Sequence, residues 1–314
     1  MITILNTEYT GEIMIKRINA VLITLFVLIF IINPESVAQE TTEYGPANGS
    51  LVIVGGAAKD EAIFDKFIEL AGGQNANFII VPTSGGNKDK EGNIRVYKEE
   101  DVIKEWLARG LKNVKMLHTH DPLVADTEEF VKDLRNADAV WFNGGRQWNC
   151  VDSYMNTLTL KEFHNVLERS GVIGGSSAGA TIQGEYLVRG DTEGSDIIMT
   201  DEENHLWGFQ FLRKTAIDQH IDARNRWDDI VPVIEKYSDF LGIGISENTA
   251  IIVKGDKFEV IGHWKVAIHD NTAQYYPWEK PYYVLGPGGI YNMKTRKIEK
   301  LGNGSSNKIR KSSK

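Results

Sequence analysis

The chain has 314 residues, 42% hydrophobic and 25% charged, with a formal net charge of −8. That composition is ordinary for a globular protein and long enough for one large domain or two small ones. The acidic balance argues against nucleic acid as the main partner, because phosphate binding needs a basic surface. The single cysteine, Cys150, excludes a disulfide framework or a multi-cysteine metal site within one chain.

Residues 1–38 read as a secretory signal peptide. Lys16 and Arg17 precede the apolar run Ala20 to Ile32, Asn33-Pro34 breaks it, and Ser36-Val37-Ala38 puts small residues where a signal peptidase reads. Cleavage after Ala38 leaves Gln39 first, and Met14 is as sensible a start as Met1. The apolar run is short against the ~20 residues of a membrane span, so an uncleaved anchor is the lesser reading. The mature protein is then expected to be secreted or periplasmic, with no stable membrane insertion. Residues 39–50 are polar, with Gly and Pro, and read as a disordered lead-in.

A single domain is expected over 51–301. Leu51 to Val54, Phe78 to Val81, Val114 to Leu117 and Ala139 to Phe142 are short apolar runs, each the length of a buried strand. Helical patterns separate them at Asp60 to Leu70, Tyr97 to Ala108, Thr127 to Arg135 and Leu160 to Glu168. Nearly all-apolar strands alternating with helices predict an α/β fold, a mostly parallel sheet with helices on both faces. Gly-Gly pairs follow three strand ends, at Gly55-Gly56, Gly85-Gly86 and Gly144-Gly145. Ligands bind outside the carboxyl ends of such sheets, where backbone must approach closely. Gly55-Gly56 lacks the full G-x-G-x-x-G spacing, so a nucleotide turn is the weaker reading.

Val172 and Ile173 end the next strand and lead into Gly174 to Ala180, all small. Gly175-Ser176-Ser177-Ala178-Gly179 fits G-x-S-x-G, a nucleophile elbow centred on Ser177. A nucleophile on a sharp strand-to-helix turn sits in strained backbone, which excludes large neighbours. The helix N-terminus behind it offers free N–H groups to a developing oxyanion. Asp191 to Glu203 is a polar, acidic surface loop. Thr215 to His220 and Gly242 to Glu247 read as strand ends, 250–253 and 257–261 as a hairpin, and 282–285 and 289–291 as further β structure. Together these make an extra C-terminal β segment from about 250. Its open roles are covering the site, forming a homodimer or binding another partner. Residues 302–314 read as a disordered basic tail.

A serine nucleophile needs a base, and the base needs an orienting group. His118-x-His120 with Asp121 lacks a third metal ligand and reads as structural. His220 stands apart: it ends a strand amid Asp218, Gln219, Asp222, Arg224 and Arg226, a density of polar groups that marks a site. Glu247, at another strand end, is the candidate to hold its imidazole. The chain order Ser, His, Glu differs from the Ser, acid, His of α/β-hydrolases. An amidotransferase-type glutaminase would need cysteine where Ser177 stands.

The chain resembles the cyanophycinase and aspartyl dipeptidase (peptidase E) serine peptidases. The resemblance covers roughly Leu51 to Ala250. It rests on the elbow Gly175 to Ala180, on Asp218-Gln219-His220, on Gly242 to Ala250 and on Phe142-Asn143-Gly144-Gly145-Arg146-Gln147. It implies a class I glutamine-amidotransferase-like fold, a flavodoxin-like three-layer arrangement. It also implies Ser177 as nucleophile, His220 as base, Glu247 as orienting acid, and an oxyanion hole from the N–H groups of Gly145 and Ala178. Gln147, Asp218, Gln219, Arg224 and Arg226 match substrate-lining positions. Arg146 stands where cyanophycinases usually carry an acid, and Trp227-Asp228-Asp229 stands near their further arginine. With Arg146, Arg224 and Arg226 at strand ends, an acidic peptide or isopeptide substrate is expected, with no cofactor and no metal. The competing reading is a non-catalytic exported binding or scaffold protein on the same fold.

Overall fold

The computed structural model describes residues 42–89, 91–275 and 279–305. The expected signal peptide, its cleavage site and most of the basic tail lie outside the described residues. No helix among the described residues is long and apolar enough to cross a membrane.

Among the described residues fourteen strands run in chain order: β1 Ser50–Val54, β2 Asn77–Val81, β3 Asn113–Met116, β4 Ala139–Phe142, β5 Val172–Ser176, β6 Gly184–Tyr186, β7 Leu212–Gln219, β8 Leu241–Ile245, β9 Thr249–Lys254, β10 Lys257–Gly262, β11 Val266–Asp270, β12 Tyr282–Leu285, β13 Ile290–Asn292 and β14 Lys297–Lys300. The helices are α1 Glu61–Leu70, α2 Glu99–Ala108, α3 Pro122–Ala125, α4 Trp148–Tyr154, α5 Leu158–Glu168, α6 Ala178–Thr181 and α7 Val231–Lys236. The first sheet has the order β14-β13-β10-β9-β1-β5-β4-β2-β3. Its half from β1 to β3 is parallel, and β9, β10, β13 and β14 extend it antiparallel. A second sheet, β12-β11-β8-β7-β6, was not foreseen from sequence. In it β6, β7 and β8 are parallel, and β11 and β12 are antiparallel.

The central strands β1, β2, β4 and β5 of the first sheet are covered on both faces, which is why they are apolar or small nearly throughout. Val52, Val54, Phe78, Ile80 and Trp141 face a cluster with Phe64 and Phe67 of α1 and Trp106 of α2. The alternate residues Leu51, Ile53, Ile79, Val140 and Phe142 belong to a cluster with Phe163 and Val166 of α5. Ile217, Ile243 and Ile245 of the second sheet belong to the same cluster. The second sheet therefore packs on the first, and α7 covers its outer side through Val233 and Ile234. That packing brings the ends of β7 and β8 to the ends of β1 and β5.

Three expectations are corrected. Residues 42–50 are not a loose lead-in. Tyr44 is buried, the N–H groups of Glu43 and Tyr44 both donate to Asp256 Oδ1 at 2.8 Å, and Arg213 donates to the carbonyls of Thr42 and Gly45. Polar residues are ordered here because distant side chains satisfy their backbone. Residues 302–305 are likewise tied back, Asn303 N–H to Pro287 O and Gly286 N–H to Ser305 Oγ. Thr127 to Arg135 forms turns and a 3-10 turn at 134–136 rather than a helix. Only isolated helical bonds close there, and so short a segment with few apolar anchors gains too little to propagate one.

Candidate active site

Ser177 sits between β5 and α6 with φ 59° and ψ −116°. Its N–H donates to Val54 O, which ties the turn to β1. The small neighbours are required by space. A Cβ on Gly175 would lie 2.2 Å from Gly179 O, and one on Gly179 would lie 2.1 Å from Phe142 O. Ala178 is the first residue of α6, so its N–H has no acceptor within the helix.

The Gly55-Gly56 turn after β1 brackets the other two residues. Gly55 O accepts from His220 N–H at 2.7 Å, and Gly56 O accepts from Asn248 N–H at 2.8 Å. Gly56 has φ +113°, and a Cβ there would lie 2.2 Å from His220 Cε1, inside the imidazole. The glycine pair is thus the floor under His220. Asn248 Oδ1 accepts from the N–H groups of Lys59 and Asp60, locking the turn after β8 to the same loop.

His220 Nε2 lies 2.9 Å from Ser177 Oγ, and His220 Nδ1 lies 2.5 Å from Glu247 Oε1. The carboxylate accepts from Nδ1–H, which leaves Nε2 as an acceptor facing the serine hydroxyl. Asp222 contacts the acid rather than the imidazole, its Oδ1 accepting from Glu247 N–H at 2.9 Å. Burial first, and then the cations Arg224 and Arg226, hold the pKa of His220 below its ordinary value, against the opposing pull of Glu247.

A cleft of about 230 Å³ opens beside Ser177, with Gly145, Arg146, Gln147, Gln219, Arg224 and Arg226 among its walls. Gly145 has φ +151°, and a Cβ there would lie 2.0 Å from Ser84 O. Gln147 is buried, and its amide donates to the carbonyls of Val188 and Arg189 at 2.5 and 2.8 Å. Gln219 is buried with Oε1 facing no partner. Arg226 is 7% exposed, while Arg224 is exposed at the rim.

Asp218 corrects the sequence reading. It is only 1% exposed and does not line the cleft, because Arg189 grips it with two bonds, Nε to Oδ1 at 3.0 Å and Nη2 to Oδ2 at 3.1 Å. Arg189 Nη2 also donates to Asp229 Oδ2 at 2.5 Å, and Nη1 donates to Ser195 O at 2.6 Å. Sequence reasoning missed Arg189; the available signal was a lone cation after the apolar pair Leu187-Val188, just before the acidic loop.

Two other candidates are accounted for. His118 Nδ1 lies 2.9 Å from Thr83 Oγ1, and burial lowers its pKa to about 4. No group of three or more His, Cys, Asp or Glu suited to a metal occurs among the described residues. Cys150 is buried against Ser84 Oγ, and burial pushes its thiol up to about 12, so it offers no thiolate.

The model of peptidase family S51 matches residues 51–261. The chain is 25% identical over 285 residues to a cyanophycinase of Synechococcus elongatus, covering 84% of this chain and 85% of that protein. It is 26% identical over 264 residues to a cyanophycinase of Geminocystis herdmanii (strain PCC 6308), covering 78% and 94%. Among solved structures, a peptidase from an acI-B1 Actinobacterium superposes with a TM-score of 0.58 at 22% identity, covering 78% of this chain and 97% of that one. A putative peptidase E protein from Listeria monocytogenes EGD-e superposes with a TM-score of 0.50 at 17% identity, covering 69% and 99%.

Proposed function

The chain belongs to peptidase family S51 and is a serine-type, cyanophycinase-like peptidase; from that premise we propose an exported enzyme that cleaves a peptide or isopeptide bond next to an aspartyl or β-aspartyl residue. Ser177, His220 and Glu247 carry the reaction. The observation that supports this best is the continuous line of hydrogen bonds from Ser177 Oγ through the imidazole to Glu247 Oε1, at 2.9 and 2.5 Å. Export rests on the sequence of residues 1–38 alone.

Ser177 Oγ attacks the scissile carbonyl carbon while His220 Nε2 takes the hydroxyl proton. Glu247 holds Nδ1–H and stabilises the imidazolium. The carbonyl electron pair moves onto oxygen, where the N–H groups of Gly145 and Ala178 receive it. The oxyanion collapses, the C–N bond breaks, and His220 Nε2–H protonates the leaving amine. Water then attacks the acyl ester, gives its proton to Nε2, and the Ser177 oxygen leaves and regains its hydrogen. Arg224 and Arg226 hold the substrate carboxylate. The acids that follow them in sequence or lie between them and the base are engaged elsewhere: Asp222 accepts from Glu247 N–H, Asp228 pairs with Lys280 and Asp229 pairs with Arg189.

The test is hydrolysis of α- and β-aspartyl dipeptides, together with fluorophosphonate labelling and mass mapping. Wild type should cleave them and carry label on Ser177. Ser177→Ala should lose turnover by on the order of 10³-fold or more while keeping its fold, because the nucleophile has no substitute. Near-wild-type turnover by the folded variant would remove Ser177 from the mechanism.

A further inference from the structure

Four arginines, Arg146, Arg189, Arg224 and Arg226, line one cleft in a chain whose net charge is −8. Their partners are unequal. Arg189 is neutralised by the carboxylates of Asp218 and Asp229. Arg146 is not: its Nη2 donates at 2.5 Å to Asp191 O, a neutral carbonyl, and its Nε is buried without a partner. The Asp191 carboxylate is occupied elsewhere, accepting from Thr200 Oγ1 and Glu193 N–H. Arg226 is 7% exposed with Nη1 buried and unpartnered, and its nearest acid is Asp196 at 3.8 Å, a side chain 98% exposed. Arg224 makes no ion pair among the described residues.

Three guanidinium groups, none gripped by a carboxylate as Arg189 is, thus face one small space beside Ser177, with Asp196 the acid that acts on both Arg146 and Arg226. Buried, poorly paired cations are costly, and burial is the first cause that disfavours the charged forms of Arg146 and Arg226. They reach the cleft from two different sheets. Arg224 and Arg226 follow β7 of the second sheet, and Arg146 follows β4 of the first. Only the former pair acts on His220 among the cations that shift it.

We propose that the cleft is built for a substrate with an anionic group on each side of the scissile bond, and that Arg146 is the specificity residue for the second anion. Arg224 and Arg226 take the aspartyl carboxylate, as in the peptidase reading on which this inference rests. Arg146 faces the residue on the far side of the bond and selects an acidic side chain there. A cationic side chain is rejected, since like charges facing each other in a cleft cost binding.

The test is calorimetric binding to the folded Ser177→Ala variant, so that affinity is read apart from turnover. β-Aspartyl-glutamate, β-aspartyl-leucine and β-aspartyl-arginine, each as the C-terminal amide, keep one side constant and vary only the side-chain charge on the other. Glutamate should bind tightest and arginine weakest, with about tenfold or more between glutamate and leucine, the scale of one partly desolvated charge pair. Adding Arg146→Glu should invert the order, and Arg146→Leu should flatten it. The inference is overturned if the arginine peptide binds as tightly as the glutamate peptide, or if a folded Arg146→Glu variant keeps the original order. Wild-type turnover of the same peptides separates the two claims. Cleavage without charge order leaves the peptidase reading standing and removes this one; charge-ordered binding without cleavage removes the peptidase reading and leaves Arg146 only as a residue that selects a bound anion.

Discussion

Ser177 and His220 both have positive φ, 59° and 58°, conformations that side chains other than glycine rarely adopt. The imidazole of His220 rests directly on Gly56. Gly56→Ala would place a methyl carbon among the ring atoms of His220, 2.2–2.6 Å away, and force alanine to a φ of +113°. We expect turnover to fall by about 10²-fold or more, the scale of an ångström-sized misplacement of a catalytic group, with the fold retained by circular dichroism. A variant as active as wild type would show that His220 does not work from this position. The state of His220 yields a second prediction. Its pKa lies below 6.5, so the imidazole stays neutral, and competent as a base, to lower pH than an ordinary histidine. The acid limb of kcat/KM should fall below pH 6.5. Arg224→Ala removes a cation that opposes the imidazolium, so it should move that limb to higher pH. A shift to lower pH would contradict the assignment.

At the scale of elements, the segment joining β6 to β7 builds one wall of the cleft. Arg189 supplies its side chain to Asp218 and Asp229 and its carbonyl to Gln147, so a single residue ties this segment to β7, to the turn after it and to the entry of α4. The Arg189 and Asp218 side chains are 3% and 1% exposed. Arg189→Ala would leave Asp218 buried without its counter-charge and should cost about 3–5 kcal/mol in denaturant unfolding. Asp218→Asn should be milder, because Arg189 keeps Asp229. Equal stability of Arg189→Ala and wild type would mean that water reaches Asp218 and the wall does not depend on this pair.

For the whole molecule, buried neutral histidines set the response to acid. Burial lowers His118 and His269 to about 4 each, His118 at the site's flank and His269 in β11 of the second sheet. In the unfolded chain both take a proton near pH 6.5, whereas in the folded protein they resist it until about 4. The unfolded state therefore binds more protons across that window, and stability falls as pH drops through it. Melting temperature should decline from pH 6.5 towards 4. His269→Gln, which removes one titration, should flatten that decline even if it lowers the plateau. An unchanged slope would place the acid sensitivity elsewhere.

Much of this molecule is set by short-range patterns. Apolar runs such as Leu51 to Val54 and Ala139 to Val140-Trp141-Phe142 are strands because both faces are covered, and alternating helices imply the parallel half of the sheet. The elbow is legible because Gly175 and Gly179 admit no Cβ. Ser177, His220 and Glu247 could each be singled out at a strand end, and their contacts in the structure join residues 43 and 27 positions apart. Tertiary structure decided what those patterns do not encode: the second sheet, the ordering of 42–50 by Asp256 and Arg213, and the withdrawal of Asp218 from the cleft by Arg189, 29 residues away. The reason is physical. Periodicity and turn chemistry act over a few residues, whereas the partner of a buried charge is whichever group the packing of two sheets delivers, and a strand-end aspartate looks the same in sequence whether it faces a substrate or an arginine.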